Sequence, residues 1–326
     1  MQKIPNEIRD LHIVALAGGV GGAKLAYGLA QILPPENFNI IVNTGDDFYH
    51  YGLKICPDID TICYTLAGIS NKRTGWGLEG DTSNVLSALQ LLDAPTWFSL
   101  GDKDIATHLE RTRRLTEGET LTQVTSHFLN QWGIKNVIYP MTNDSVSTMV
   151  KTKDDQWLAF QEYFVHQACM PEISEINFLG ILDAEPSPGV LECIQKSDLV
   201  IICPSNPWVS IDPILFIRGI RQTLISKKVI AVSPIVGGKA LKGPAAKMFT
   251  ELGFQASVLS VMEHYQDLLS GFVIDNSDEA YFEIISQCNI IPFITNTIML
   301  NNQDKIDLAT SVLNFGLRIL NSEVVL

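Results

Sequence analysis

With 326 residues, 46% of them apolar and 18% charged, the chain has the length and composition of a large globular protein rather than a disordered one. Its 36 acidic and 23 basic residues give a formal charge of −13, which argues against a nucleic-acid or anionic-membrane surface, since phosphate backbones are held mainly by Lys and Arg. Cys56, Cys63, Cys169, Cys193, Cys203 and Cys288 show no C-x-x-C or zinc-finger spacing, the N-terminus lacks a leader pattern, and no stretch approaches the roughly 20 apolar residues of a membrane span, so a cytoplasmic protein with reduced thiols is expected.

In chain order, the apolar run Leu11 to Ala17 predicts a strand ending in Gly18-Gly19-Val20-Gly21-Gly22, and the apolar spacing from Ala23 to Leu33 predicts a helix closed by Pro34-Pro35. A second strand, Phe38 to Val42, ends at Asn43-Thr44-Gly45-Asp46-Asp47. Alternation of this kind is the pattern of βαβ units and a parallel sheet. Helical patterns follow over Ile59 to Ala67, Thr82 to Leu92 and Lys103 to Arg114, with polar loops at Gly75-Trp76-Gly77-Leu78-Glu79-Gly80 and Ser99-Leu100-Gly101-Asp102. From Lys135 to Val165 the residues Val, Ile, Tyr, Thr and Phe dominate without helical periodicity; they predict a strand-rich insertion, 135–180, that covers the site or forms a subunit contact. Strands Leu199 to Cys203 and Val229 to Val232 end in Pro204-Ser205-Asn206-Pro207 and Ser233-Pro234, and helices are expected over Gly243 to Leu252 and Asp304 to Leu320. The expected fold is a single large α/β domain over 1–326, a Rossmann-like parallel sheet flanked by helices, with the strand-rich insertion in the middle.

Four loops carry groups suited to chemistry. The first, Gly18 to Gly22, suits close backbone approach to a phosphate at a helix N-terminus. It is neither a G-x-G-x-x-G fingerprint, which needs glycine at Lys24, nor a Walker A loop, which needs Lys-Ser or Lys-Thr after the last glycine. Gly19, Gly21 and Gly22 read as an anion cradle with Lys24 as a point charge; a tight turn is the plainer alternative. The second loop holds Asp46 and Asp47 at the end of a parallel strand, with Asp58 and Asp60 following at a helix start. Asp58 suits an N-cap and Asp46 or Asp47 an Asx-turn. Four carboxylates beside a phosphate loop repel an anionic substrate unless a divalent cation bridges them, and magnesium fits. The third set, Gly80-Asp81-Thr82 and Gly101-Asp102-Lys103-Asp104, leads into a helix with His108 and Arg111 on one face, where Arg111, Arg113 and Arg114 read equally as a solvated surface. The fourth, Ser205 and Asn206 between prolines, offers hydrogen bonds to a nucleotide base or sugar, or is a rigid turn alone. Together they support a phosphate- or nucleotide-binding, metal-assisted α/β protein and name no substrate.

The motifs Gly18-Gly19-Val20-Gly21-Gly22-Ala23-Lys24-Leu25, Asn43-Thr44-Gly45-Asp46-Asp47, Cys56-Pro57-Asp58-Ile59-Asp60-Thr61, Gly75-Trp76-Gly77, Gly80-Asp81-Thr82, Leu100-Gly101-Asp102-Lys103-Asp104, Phe160-Gln161-Glu162-Tyr163, Pro204-Ser205-Asn206-Pro207 and Val232-Ser233-Pro234 stand in one order. That set resembles the 2-phospho-L-lactate transferases and their phosphoenolpyruvyl transferase relatives of coenzyme F-420 biosynthesis, over residues 11 to about 275. The resemblance implies a homodimeric transferase that moves 2-phospho-L-lactate, phosphoenolpyruvate or 3-phosphoglycerate from its guanosine diphosphate (GDP) carrier to the ribityl hydroxyl of 7,8-didemethyl-8-hydroxy-5-deazariboflavin, releasing GMP. It implies Mg2+ on Asp46, Asp47 and Asp60. Asp60 and Asp47 are then the catalytic residues, Asp60 contacting the deazaflavin and orienting or deprotonating its hydroxyl. Gly19, Gly21, Gly22 and Lys24 hold the diphosphate, and Ser205 and Asn206 the guanosine. Archaeal members carry lysine at a deazaflavin-contacting position where this chain has Ser99. Asp60→Asn is expected to abolish turnover with the fold intact.

Two rivals share part of the pattern. A non-catalytic nucleotide-sugar-binding regulator, resembling the gluconeogenesis-factor family, has a related glycine loop and Asn-Pro turn, but the four aspartates and the Gly101 to Asp104 run favour the transferase. A dinucleotide-dependent oxidoreductase is weakened by the failed fingerprint.

Overall fold

The computed structural model describes residues 5–240 and 244–321. Seven strands, β1 (Ile13–Ala17), β2 (Phe38–Val42), β3 (Val137–Pro140), β4 (Leu199–Ile202), β5 (Lys228–Val232), β6 (Gly271–Asp275) and β7 (Ile291–Thr295), form one sheet in the order β7-β6-β5-β4-β1-β2-β3. Every pairing in it is parallel, as the expected fold requires. Taken from β3, the order is the 3-2-1-4-5-6 arrangement of doubly wound nucleotide-binding sheets with one strand added, so the direction of winding reverses between β1 and β4.

Side-chain alternation along the strands builds a core on each face. From β1, Val14 and Leu16 enter one apolar layer with Ile41, Val200 and Ile202, while Ile13, Ala15 and Ala17 enter the other with Ile40, Val42 and Ile201. The helices that bear on the site are α1 (Gly19–Ala30), α2 (Pro57–Leu66), α3 (Asn84–Leu91), α4 (Asp102–Thr116) and α5 (Asn302–Leu320). Helix α1 packs on both α2 and α5, with Leu25, Ala26 and Leu29 buried. Helix α2 is buried at every position from Asp58 to Thr65, and a helix buried all round must pair any charge it carries. That constraint decides what Asp58 and Asp60 do.

The insertion is a three-stranded antiparallel sheet of Ser147–Thr152, Trp157–Ala159 and Ile173–Leu179. The first strand-like stretch of the expected insertion is instead β3, paired in register with β2, so the separate sheet begins beyond Pro140. A hairpin of Phe48–His50 and Leu53–Ile55 connects β2 to α2. The helix expected over Gly243 to Leu252 runs Ala245–Glu251, and Gly243 lies outside the described residues. Among the described residues, no helix is long and apolar enough to cross a membrane.

Candidate active site

The loops that follow β1, β2 and β4 meet where the winding reverses. Helix α1 begins at Gly19 rather than Ala23, so the glycine run forms its first turn. Gly19 has a left-handed φ of 61°, and its N–H donates to Asp58 Oδ1 at 2.7 Å. A Cβ on Gly21 would lie 2.2 Å from the Pro204 carbonyl oxygen, so any side chain there forces α1 away from the loop after β4. Ser205 Oγ completes the join, donating to Gly18 O at 2.8 Å and accepting from Gly18 N at 3.3 Å. Asn206 caps the turn Pro207–Ile211 through Trp208 N at 3.1 Å, and Lys24 Nζ donates to Met299 O at 2.6 Å. The three side chains expected on the nucleotide thus make protein contacts here, and Ser205 acts by fixing the glycine turn.

Asn43 joins the same loops from the β2 side. Its Nδ2 donates to Asp58 Oδ2 at 2.9 Å and to Val209 O at 3.0 Å, while its Oδ1 accepts from Gly45 N at 2.7 Å. Asp58 is therefore not the expected N-cap. Cys56 holds that position and Pro57 opens α2, which leaves both Asp58 oxygens to bind Gly19 and Asn43. Burial pushes the Asp58 carboxyl up to about 6.

Asp46 and Asp47 line a cavity of about 210 Å³, together with Lys54 of the hairpin and Ser147, Thr148 and Gln161 of the insertion. Oδ1 of each aspartate is buried with no hydrogen bond of ordinary geometry, as are Thr44 Oγ1 and Thr148 Oγ1. Burial, then the charge of Asp58, raises the Asp46 carboxyl well above the usual carboxylate range. Burial also raises Asp47, against the opposing pull of Lys54, whose Nζ stands 3.4 Å from Asp47 Oδ2. Cys56 Sγ donates to that same oxygen at 3.0 Å. Buried unpaired carboxylate oxygens are costly by themselves, and a divalent cation fits this donor set. Among the described residues, no group of three or more His, Cys, Asp or Glu side chains is arranged to hold a metal. Two carboxylates suffice for magnesium when substrate phosphates and water supply the remaining ligands.

Asp60 stands apart from this pair. Arg111 Nη1 donates to its Oδ2 at 3.0 Å and Arg111 Nη2 to its Oδ1, with His108 Nδ1 3.7 Å from Oδ2. Arg111 is only 1% exposed, so the solvated-surface alternative fails for it. It holds for Arg113, and in part for Arg114, which pair with Glu110, Glu117 and Glu119. With both oxygens committed to Arg111, Asp60 is not placed like Asp46 and Asp47 to receive a cation. Of the remaining acids of the third set, Asp104 accepts from the Tyr64 hydroxyl at 2.7 Å, and the other two cap helices. Asp81 accepts from Lys103 N at 2.8 Å and Asp104 N at 3.1 Å to open α4, while Asp102 accepts from Thr82, Val85 and Asn84 at the start of α3, bonds that hold it down to about 2. Ser99 is exposed beside Phe98, whose ring centroid is 4.9 Å from that of Phe48 on the cavity wall.

Lys54 and Thr148 are the site residues that motif reading misses. The signal for Lys54 was present: Tyr51-Gly52 makes a hairpin turn that pairs Tyr49 with Lys54 and so folds the lysine back toward Asp47. Thr148 carries no comparable signal, because it meets Asp46 only through the packing of the insertion.

A doubly wound parallel sheet with acids and a glycine-opened helix at its switch point is the architecture of phosphate- and nucleotide-binding α/β proteins. The profile of the family described as 2-phospho-L-lactate transferase CofD matches residues 13–302. A phosphoenolpyruvate transferase of Kitasatospora aureofaciens is 38% identical over 300 residues, spanning 88% of this chain and 94% of that relative. A 2-phospho-L-lactate transferase of Methanocaldococcus jannaschii is 39% identical over 306 residues, spanning 93% and 97%. The crystal structure of a UPF0052 protein from Bacillus halodurans matches with a TM-score of 0.63 at 14% identity, over 93% of this chain and 99% of that one, a likeness of fold. The chain belongs to the CofD family of 2-phospho-L-lactate transferases.

Proposed function

We propose that the chain transfers a phosphorylated three-carbon acid (2-phospho-L-lactate, phosphoenolpyruvate or 3-phosphoglycerate) from its GDP carrier to the ribityl hydroxyl of 7,8-didemethyl-8-hydroxy-5-deazariboflavin, releasing GMP, in coenzyme F-420 biosynthesis. The observation that carries this reading is the buried Asp46 and Asp47 pair with its unpartnered oxygens, beside Lys54 in a cavity at the end of β2, in a chain of this transferase family. The hydroxyl oxygen bonds to the phosphorus that bears the acid. The bond from that phosphorus to the bridging oxygen breaks, and GMP leaves with that oxygen. Such a transfer depends on positioning and on neutralising phosphate charge.

Asp46 and Asp47 would hold Mg2+, which when bound supplies counter-charge to the phosphates. Asp47, which lines the same cavity, takes the hydroxyl proton. The first turn of α1 offers its N-terminus to the diphosphate, with Lys24 further along the same helix, and the Ser205-Asn206 loop lies beside it for the guanosine. Asp60 acts through Arg111, whose Nη1 also donates to Lys54 O at 3.3 Å and so fixes the hairpin. The homodimer implied by the resemblance belongs to the same reading. Purified protein, Mg2+, the deazaflavin and each GDP-linked acid, followed by mass spectrometry, should give GMP and coupled product with one carrier. Intact carriers in the presence of folded protein would instead favour a nucleotide-binding regulator.

A further inference from the structure

Among the described residues lining the acid cavity, Lys54 alone carries a cationic side chain. Its peptide is gripped on both sides by α4: Lys54 N donates to Thr112 Oγ1 at 2.8 Å, and Lys54 O accepts from Arg111 Nη1 at 3.3 Å. The ammonium, on a side chain 15% exposed, sits 3.4 Å from Asp47 Oδ2 and 5.5 Å from the centre of the Tyr49 ring. An ammonium has three donors, so the contact with Asp47 leaves capacity for a second anion. Gln161 also lines the cavity and is 7% exposed. Thr148 Oγ1 is buried beside Asp46 and makes no hydrogen bond of ordinary geometry. The insertion strand that bears Thr148 is fastened to the loop of the acid pair, Thr148 N donating to Gly45 O at 2.7 Å. Cation, acids and neutral hydrogen-bonding groups are therefore held in one fixed frame.

We propose that Lys54, Thr148 and Gln161 form the subsite that recognises the carboxylate of the transferred three-carbon acid and so discriminate among the acids carried. This rests on the transferase reading above. The donor brings a carboxylate in addition to its phosphates, and beside Asp46 and Asp47 that carboxylate needs a cation of its own. The cavity of about 210 Å³ lies below the roughly 300–1,000 Å³ of pockets for drug-sized ligands, which suits a three-carbon acid and not a nucleoside. Gln161 and Thr148 offer amide and hydroxyl groups that distinguish a hydroxyl, a methyl and a methylene beside the carboxylate.

The test compares the binding of GDP with that of the acid-bearing GDP carrier, in Mg2+, to wild-type protein, Lys54→Met, Lys54→Arg and Gln161→Leu. Wild type should prefer the acid-bearing carrier. Lys54→Met should lose about tenfold of that preference, read as the ratio of carrier affinity to GDP affinity in the same protein, since a charge-assisted bond to the carboxylate is gone. Lys54→Arg should keep part of the preference, and Gln161→Leu should change the ratio of kcat/KM among the three acids. A Lys54→Met protein that keeps the wild-type preference overturns the subsite alone. A wild type that binds neither GDP nor carrier overturns the transferase reading, and the subsite with it.

Discussion

Removing the charge of Asp60 strips Arg111, 1% exposed, of its bidentate partner. Breaking one side of a buried ion pair costs about 3–5 kcal/mol, so Asp60→Asn should lower the urea midpoint clearly, and its loss of turnover would come with a loosened fold rather than an intact one. Replacing both partners, as in Asp60→Leu with Arg111→Met, should recover most of that stability, because the penalty belongs to the unpaired charge. The acid pair predicts the opposite sign. Asp46→Asn removes a carboxyl raised by burial and by Asp58, so the metal-free variant should be more stable than wild type while losing turnover, as thermal melts and GMP release would show. Asp58 sets a pH dependence. Pushed up to about 6 from 3.8, it keeps its proton in the folded chain where the unfolded chain has lost it. Folding therefore takes up a proton between those values, and the stability of the metal-free protein should fall as pH rises through that window. Urea titrations from pH 4 to 7 should give a smaller slope for Asp58→Asn than for wild type.

At the scale of elements, the join between α1 and the loop after β4 is a backbone contact that tolerates no side chain at Gly21. Gly21→Ala places a Cβ 2.2 Å from the Pro204 oxygen, and separating the two loops should cost about 1–3 kcal/mol and lower kcat/KM together; a variant with wild-type melting temperature and rate would show that the join is not needed. The strands that carry the loops are legible in the sequence because each is an apolar run stopped by glycine, aspartate or proline. The start of α1 is not, since glycines read as loop until Asp58 and Pro204 are seen packed against them. Likewise β3 alternates buried and exposed residues as an antiparallel strand does, and only its pairing with β2 reveals the parallel sheet. Arg111 differs from Arg113 and Arg114 by facing the fully buried α2, a distinction that needs the packing of two helices, not the spacing within one.

Across the whole molecule, the reversal of winding between β1 and β4 brings together loops from residues 18–22, 43–47 and 204–209, and the insertion then closes the cavity over Asp46 and Asp47. The homodimer is checked by light scattering, with twice the protomer mass expected and the protomer mass at micromolar concentration against it. The central claim is that transfer takes place at the acid pair. It is tested most directly by the rate of GMP release at saturating Mg2+, deazaflavin and carrier for wild type and for the doubly substituted Asp46→Asn, Asp47→Asn protein, each shown to be folded by its melting transition. A loss of about 100-fold or more in the double variant is the predicted result; release at the wild-type rate would contradict it.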